Sequence, residues 1–190
     1  MFRWTMLCLL AAVICVVAVP AMAQTDATTT GNYLIGGTMS WNSTDNENAT
    51  DRVNNWTVAP RVMYFWMENL AFGAEVGFSG NSFGDTGTSA QRYFAVAEYV
   101  FPMSNSNFRF FSEAGGGFSR MTASETAGDL AFNGWGLTAG IGAYMFLNDH
   151  VAITPAVSYI YENMGDDGGI SMGTNQTIFL RIGVSGFMLP

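Results

Sequence analysis

Along residues 70–79, LAFGAEVGFS, apolar side chains alternate with small or polar ones at a period of two. Leu70, Phe72, Ala74, Val76 and Phe78 fall on one side, and Ala71, Gly73, Glu75, Gly77 and Ser79 on the other. Successive strand side chains point to opposite faces, so this stretch has one oily face and one small, charged face. Strand-like segments recur eight times, over 33–41, 56–65, 70–79, 91–101, 108–119, 133–146, 151–161 and 175–187. Their connections alternate in length. The stretches 42–55, 80–90, 120–132 and 162–174 are longer and polar, whereas 66–69, 102–107 and 147–150 are short turns. Strict alternation predicts an all-β, eight-stranded antiparallel up-and-down transmembrane barrel, with both termini at the short-turn, periplasmic end.

Parity says which way the barrel faces. One set holds Tyr33, Ile35, Met39 and Trp41, then Trp56, Val58, Val62 and Tyr64, and continues in the same manner to Ile178, Leu180, Ile182, Val184 and Met188. It includes Val151 and carries no charge. The opposite set holds Arg61, Glu75, Arg92, Glu98, Arg109, Glu113 and Arg181 among Gly, Ala, Ser and Thr. A soluble barrel would put its oil inside. Here the oil belongs outside, in lipid, and the charges in a narrow lumen. Pro60 and Pro155 fall mid-strand, where each removes a ladder donor, so bulges are expected there.

The first residues read as export machinery. Arg3 precedes an apolar run that Pro20 breaks, and Ala21-Met22-Ala23 forms a small-x-small cleavage site. These features predict a signal peptide over 1–23, removed after Ala23, and a single barrel domain over 24–190. Cys8 and Cys15 leave with it, so no disulfide or thiol chemistry is expected of the mature chain. The mature chain has no Lys and sets six Arg against fifteen acids, a formal charge of −9. That balance excludes a basic nucleic-acid surface.

A family resemblance rests on particular stretches. They are Pro60-Arg61-Val62-Met63-Tyr64-Phe65 running into Glu68-Asn69-Leu70-Ala71-Phe72-Gly73, then Glu113-Ala114-Gly115-Gly116-Gly117, Gly140-Ile141-Gly142-Ala143-Tyr144-Met145-Phe146, and Leu180-Arg181-Ile182-Gly183-Val184-Ser185-Gly186-Phe187. With them the chain resembles the small eight-stranded outer-membrane barrels: the transmembrane domain of outer-membrane protein A, the opacity proteins and the outer-membrane protein X type. The resemblance implies a Gram-negative outer membrane as location, with lipid, lipopolysaccharide and the barrel assembly machinery as partners. It implies no cofactor and no catalytic motif.

Three functions suit a barrel of this kind unequally. Small barrels are filled by side chains, so a structural or surface role through the outer loops comes first, with contact to host or neighbouring cells and a monomeric state. A narrow, porin-like pore or small-ligand carrier is the alternative. A lipid-modifying enzyme would need a Ser with a His and a carboxylate, but the lone His150 sits in a short turn with no Ser near it in sequence. The acids Asp45, Glu47 and Asp51 of one loop, and Glu162, Asp166 and Asp167 of another, are read as solvated acidic surface rather than a Ca²⁺ site; in the first, Thr50 stands where an EF-hand needs Gly.

The lumen charges are expected to pair, since a lone buried charge is costly. A turn centred on Glu68 sets Arg61 opposite Glu75, so loss of Glu75 is expected to strand Arg61. Glu98 is expected to meet Arg109 across the next short turn, and Glu113 to share Arg92 or Arg109.

Overall fold

The computed structural model describes residues 27–44, 53–83, 86–103, 107–125, 128–166 and 171–188. The export signal over 1–23, and the acids Asp45, Glu47, Asp51 and Asp167, lie outside the described residues. Eight strands follow in order: β1 (Tyr33–Thr44), β2 (Val53–Met67), β3 (Leu70–Phe83), β4 (Thr86–Val100), β5 (Phe108–Glu125), β6 (Gly128–Asn148), β7 (Val151–Asp166) and β8 (Ser171–Met188). Each pairs antiparallel with its neighbours, and β8 returns to β1 to close the barrel. Among the described residues no helix is long and apolar enough to cross a membrane. The backbone groups are instead paired between strands, the other arrangement that a bilayer tolerates, save along the upper part of the β1–β8 seam, where the ladder stops at Met39↔Ile182.

The barrel is inside out. Ile35, Val62, Phe110, Leu137 and Ile141 stand exposed on its outer face, while Glu98 is 1% exposed. Aromatics ring the apolar band at both ends, as lipid interfaces favour. Tyr33 packs against Tyr64 near the short turns, with ring centroids 5.1 Å apart. At the other end Trp41 lies opposite Trp56, and Phe118 opposite Trp135. One step further along β5, Arg120 is exposed on the same face, which marks the edge of the oily band.

Most of what the sequence suggested as loop at that end is strand. Residues 80–83 and 86–90 belong to β3 and β4, 120–125 and 128–132 to β5 and β6, and β7 absorbs residues to Asp166. The reason is physical: above the bilayer a strand needs no apolar face, so the period-two signal vanishes while the ladder continues. Val151 is also misplaced by parity. It is 2% exposed, shielded at the turn where the Phe187 N–H bonds the His150 carbonyl.

Neither proline makes a bulge. Val58↔Phe78 and Arg61↔Glu75 keep one register on either side of Pro60, and Pro155 lies opposite Ile182 without a shift. A single missing donor is absorbed by skipping a rung, which disturbs less than inserting a residue. The irregularities fall near strand ends, between Phe65 and Met67, Phe146 and Asn148, and Met164 and Gly165, at the rims where bulges gather. The protein is expected to need detergent and to migrate faster on a gel unheated than boiled. Solubility in plain buffer with no such shift would contradict this fold.

Candidate functional site

The lumen is stacked in layers, beginning at the short-turn end. Residues 27–32 fold into the mouth instead of hanging below it. The Gly31 N–H bonds the Phe65 carbonyl at 2.8 Å, and the Asn69 N–H bonds the Thr28 carbonyl at 2.9 Å. The Thr28 hydroxyl donates to Asn69 Oδ1 at 2.7 Å and accepts from Arg109, on the far wall, at 2.6 Å. Asn69 holds the tight turn with φ +63°, a left-handed conformation that Asn adopts more readily than most residues. Above this lies an aromatic layer of Phe65, Phe111, Tyr144, Phe146 and Phe187. The Phe111–Tyr144 and Tyr144–Phe187 centroids are 4.8 and 5.2 Å apart.

The next layer is ionic. Arg61, from β2, reaches Glu113 on β5 at 2.7 Å, Glu98 on β4 at 3.1 Å and Glu75 on β3 at 4.0 Å. Its guanidinium carbon also lies 5.8 Å from the Phe111 ring centre. Arg181, from β8, bonds Glu75 at 3.3 Å and also Glu113. The Tyr144 hydroxyl donates to Glu98 at 2.5 Å, and Ser158 donates to Glu113 at 3.2 Å. Gly140 makes room for this: a Cβ there would meet Ser158 Oγ at 2.6 Å and Glu113 Oε1 at 2.8 Å. Three carboxylates thus share two guanidinium groups, and the layer carries one negative charge in excess.

A second ionic layer lies further up. Arg92 Nε and Nη2 bond both carboxylate oxygens of Glu162, at 2.8 and 3.1 Å, while Nη1 donates to Ser79. Between the two layers is a cavity of about 30 Å³, room for roughly two waters, lined by Thr57, Glu75, Arg92, Phe179 and Arg181 among others.

Set beside the expected pairs, the geometry differs in three ways. Arg61 does stand opposite Glu75 in the ladder, yet its shorter contacts are to Glu113 and Glu98. Removing Glu75 therefore does not strand Arg61. Glu98 does not meet Arg109. The β4–β5 connection is wider than a tight turn, Phe101 N–H bonding the Phe110 carbonyl, and Glu98 lies opposite Glu113 instead. Glu113 shares neither Arg92 nor Arg109, because it sits level with Arg61 and Arg181. Glu162 is the site residue that sequence reasoning missed. Treated as loop, it is 1% exposed and belongs to β7. Its parity with Ser158 was the available signal. Tyr144 was legible in the same way.

His150 has a structural environment. Its ring Nδ1 lies 3.3 Å from the Phe187 carbonyl, and its N–H bonds Asn148 Oδ1, which holds β8 to the β6–β7 turn.

The sequence matches the model of the outer membrane protein beta-barrel domain over residues 9–185. The chain belongs to that family. Its place is the outer membrane. Among curated proteins no relative matches. Solved structures share the architecture at low identity. Neisserial surface protein A, from Neisseria, is 15% identical, with a TM-score of 0.55 over 83% of this chain and 97% of that one. The outer membrane protein OprG from Pseudomonas aeruginosa is also 15% identical, with a TM-score of 0.54 over 88% of this chain and 100% of that one. At such identity these neighbours speak for the fold alone.

Proposed function

We propose that this family member is a non-conducting, non-enzymatic barrel of a Gram-negative outer membrane, exported with cleavage after Ala23, that acts through its outward rim. The single observation behind this reading is the stacked lumen. The 27–32 segment, the aromatic layer and the two ionic layers each span the bore, and a pore needs a continuous wet path through all of them. The rim consists of the strand ends away from the short turns, at Thr44, Val53, Phe83, Thr86, Glu125, Gly128, Asp166 and Ser171. In this reading the rim faces the lipopolysaccharide layer and neighbouring or host surfaces. The seven charged residues of the interior hold the barrel's shape, with Glu162 and Tyr144 added to that set. The protein works as a monomer whose partners beyond lipid are the assembly machinery and whatever the rim touches.

Conductance is the test. In planar bilayers the folded protein is expected to give no resolvable single-channel steps. Discrete, reproducible openings from the wild-type chain would reject this reading in favour of the narrow pore.

A further inference from the structure

The barrel is not zipped along its whole height. β1 pairs with β8 from Tyr33↔Met188 to Met39↔Ile182, and there the ladder stops. Both strands go on, β1 to Thr44 and β8 back to Ser171, each still paired with its other neighbour. Continuing the register would set Ser40 against Arg181 and Trp41 against Leu180. Neither pair forms. Trp41 lies opposite Trp56 in the upper aromatic belt, so the gap begins below that belt, within the depth of the lipid. Leu180 at 79% and Ile178 at 73% are the most exposed large apolar side chains described. An open strand edge in lipid leaves backbone donors and acceptors with neither water nor a partner, which a bilayer-spanning structure does not tolerate for long. The opening gives a molecule dissolved in the lipid a way toward the interior.

The lumen cavity lies behind this opening. Thr38 and Ser40 of β1 and Phe179 and Arg181 of β8 line it, so the two seam strands form one of its walls. Its floor is sealed by the lower ionic layer and by the aromatic layer beneath. The Arg181 side chain is nine-tenths buried, and its Nε–H has no hydrogen-bond partner. A buried, unpaired donor calls for an oxygen acceptor. The charge balance of the layer below narrows the choice. Three carboxylates against two guanidinium groups repel a further anion, and Glu75, on the cavity wall, welcomes a donor. The volume, room for about two waters, admits a hydroxyl.

We propose that the β1–β8 gap is the mouth of a binding crevice for a long-chain alcohol. Its hydroxyl accepts from Arg181 Nε–H and donates to Glu75. Its hydrocarbon tail leaves between Ser40 and Leu180 into the surrounding lipid. This is a dead-end site within a closed barrel. It rests on the sealed lumen of the previous section, and conductance reports on that seal separately.

The experiment uses the mature protein folded in lipid nanodiscs and a twelve-carbon primary alcohol carrying a diazirine on its tail. After irradiation, the label is expected on residues 38–41 and 178–182. 1-Dodecanol should compete at least about tenfold better than dodecanoate, a difference of about 1.4 kcal/mol. Thr57→Phe fills the cavity from β2 while keeping every charged residue of the ionic layers, and should cut seam labelling about tenfold while labelling near Ile141, on another face, stays unchanged. Should that variant fail to show the heat-dependent gel shift of a folded barrel, the seam is closed with Trp41→Cys and Leu180→Cys in the cysteine-free mature chain. Oxidation should then abolish seam labelling and reduction restore it. Labelling spread evenly around the lipid belt would overturn the proposal. So would equal competition by acid and alcohol, or seam labelling indifferent to both the filled cavity and the closed seam.

Discussion

Replacing Arg61 by Met is expected to cost the barrel about 3–5 kcal/mol, the usual penalty for leaving buried charge uncompensated. Arg61 is 3% exposed and draws Glu113, Glu98 and Glu75 around one guanidinium group. Without it, Arg181 alone faces three carboxylates at the centre of a sealed lumen. Urea unfolding in lipid vesicles, followed by the gel shift between folded and unfolded forms, measures the loss. The carboxylates should behave differently. Glu75→Gln leaves Arg61 with two partners and removes the layer's excess charge, so its cost should be less than half that of Arg61→Met. Arg61→Met combined with Glu98→Gln should cost clearly less than the two singles summed, since the two residues share one network. An Arg61→Met barrel as stable as wild type would mean that the ionic layer is ornament. Strict additivity would mean that its members do not act together.

The second large effect concerns the outer face. Ile141 is 67% exposed and sits mid-strand in β6, opposite Val157 and Ser112. In water, an exposed Ile→Arg change is nearly neutral. At mid-bilayer depth on a lipid-facing strand it should cost about 2–4 kcal/mol. The same change at Trp135, near the upper belt, should cost visibly less, because the penalty falls toward the interface. The paired measurement reads depth and orientation together. Equal, near-zero costs at both positions would place this face in water and defeat the inside-out fold.

Much of this architecture was legible because lipid and lumen sort side chains more sharply than a soluble core does. The charge-free set from Tyr33 to Met188 fixed the facing of the strands, with Val151 the exception where a turn folds over it. The Arg61↔Glu75 rung was legible because a tight turn at Glu68–Asn69 leaves little freedom in register. The rest of the network was not. Arg61–Glu113 joins β2 to β5, and Arg92–Glu162 joins β4 to β7. Such contacts cross the bore, and they depend on strand tilt and barrel diameter, which no local pattern encodes. Glu98 was assigned the wrong partner because the 101–107 connection is too wide for turn geometry to set the register. Glu162 was lost because an acid in a Gly-rich, polar stretch resembles a loop. The open seam between β1 and β8 had no sequence signal, since it joins the two strands furthest apart in the chain.

The strands are unequal in length, and that gives the protein a profile. β6 has 21 residues, whereas β3 has 14. At ~3.3 Å per residue and a tilt of ~40°, these rise roughly 53 and 35 Å, against an oily band ~25 Å tall. With the rim outward, the β5–β6 hairpin stands as a mast on one side of a low parapet. An object settling flat on the cell would meet this hairpin before the other strands described. Because backbone pairing tolerates most side chains, the tip can change its sequence freely without disturbing the bilayer-embedded wall. A recogniser that must not be evaded would do better to grip the low side, at the β3–β4 edge, where strand ends lie close to the membrane and substitutions soon reach the lipid.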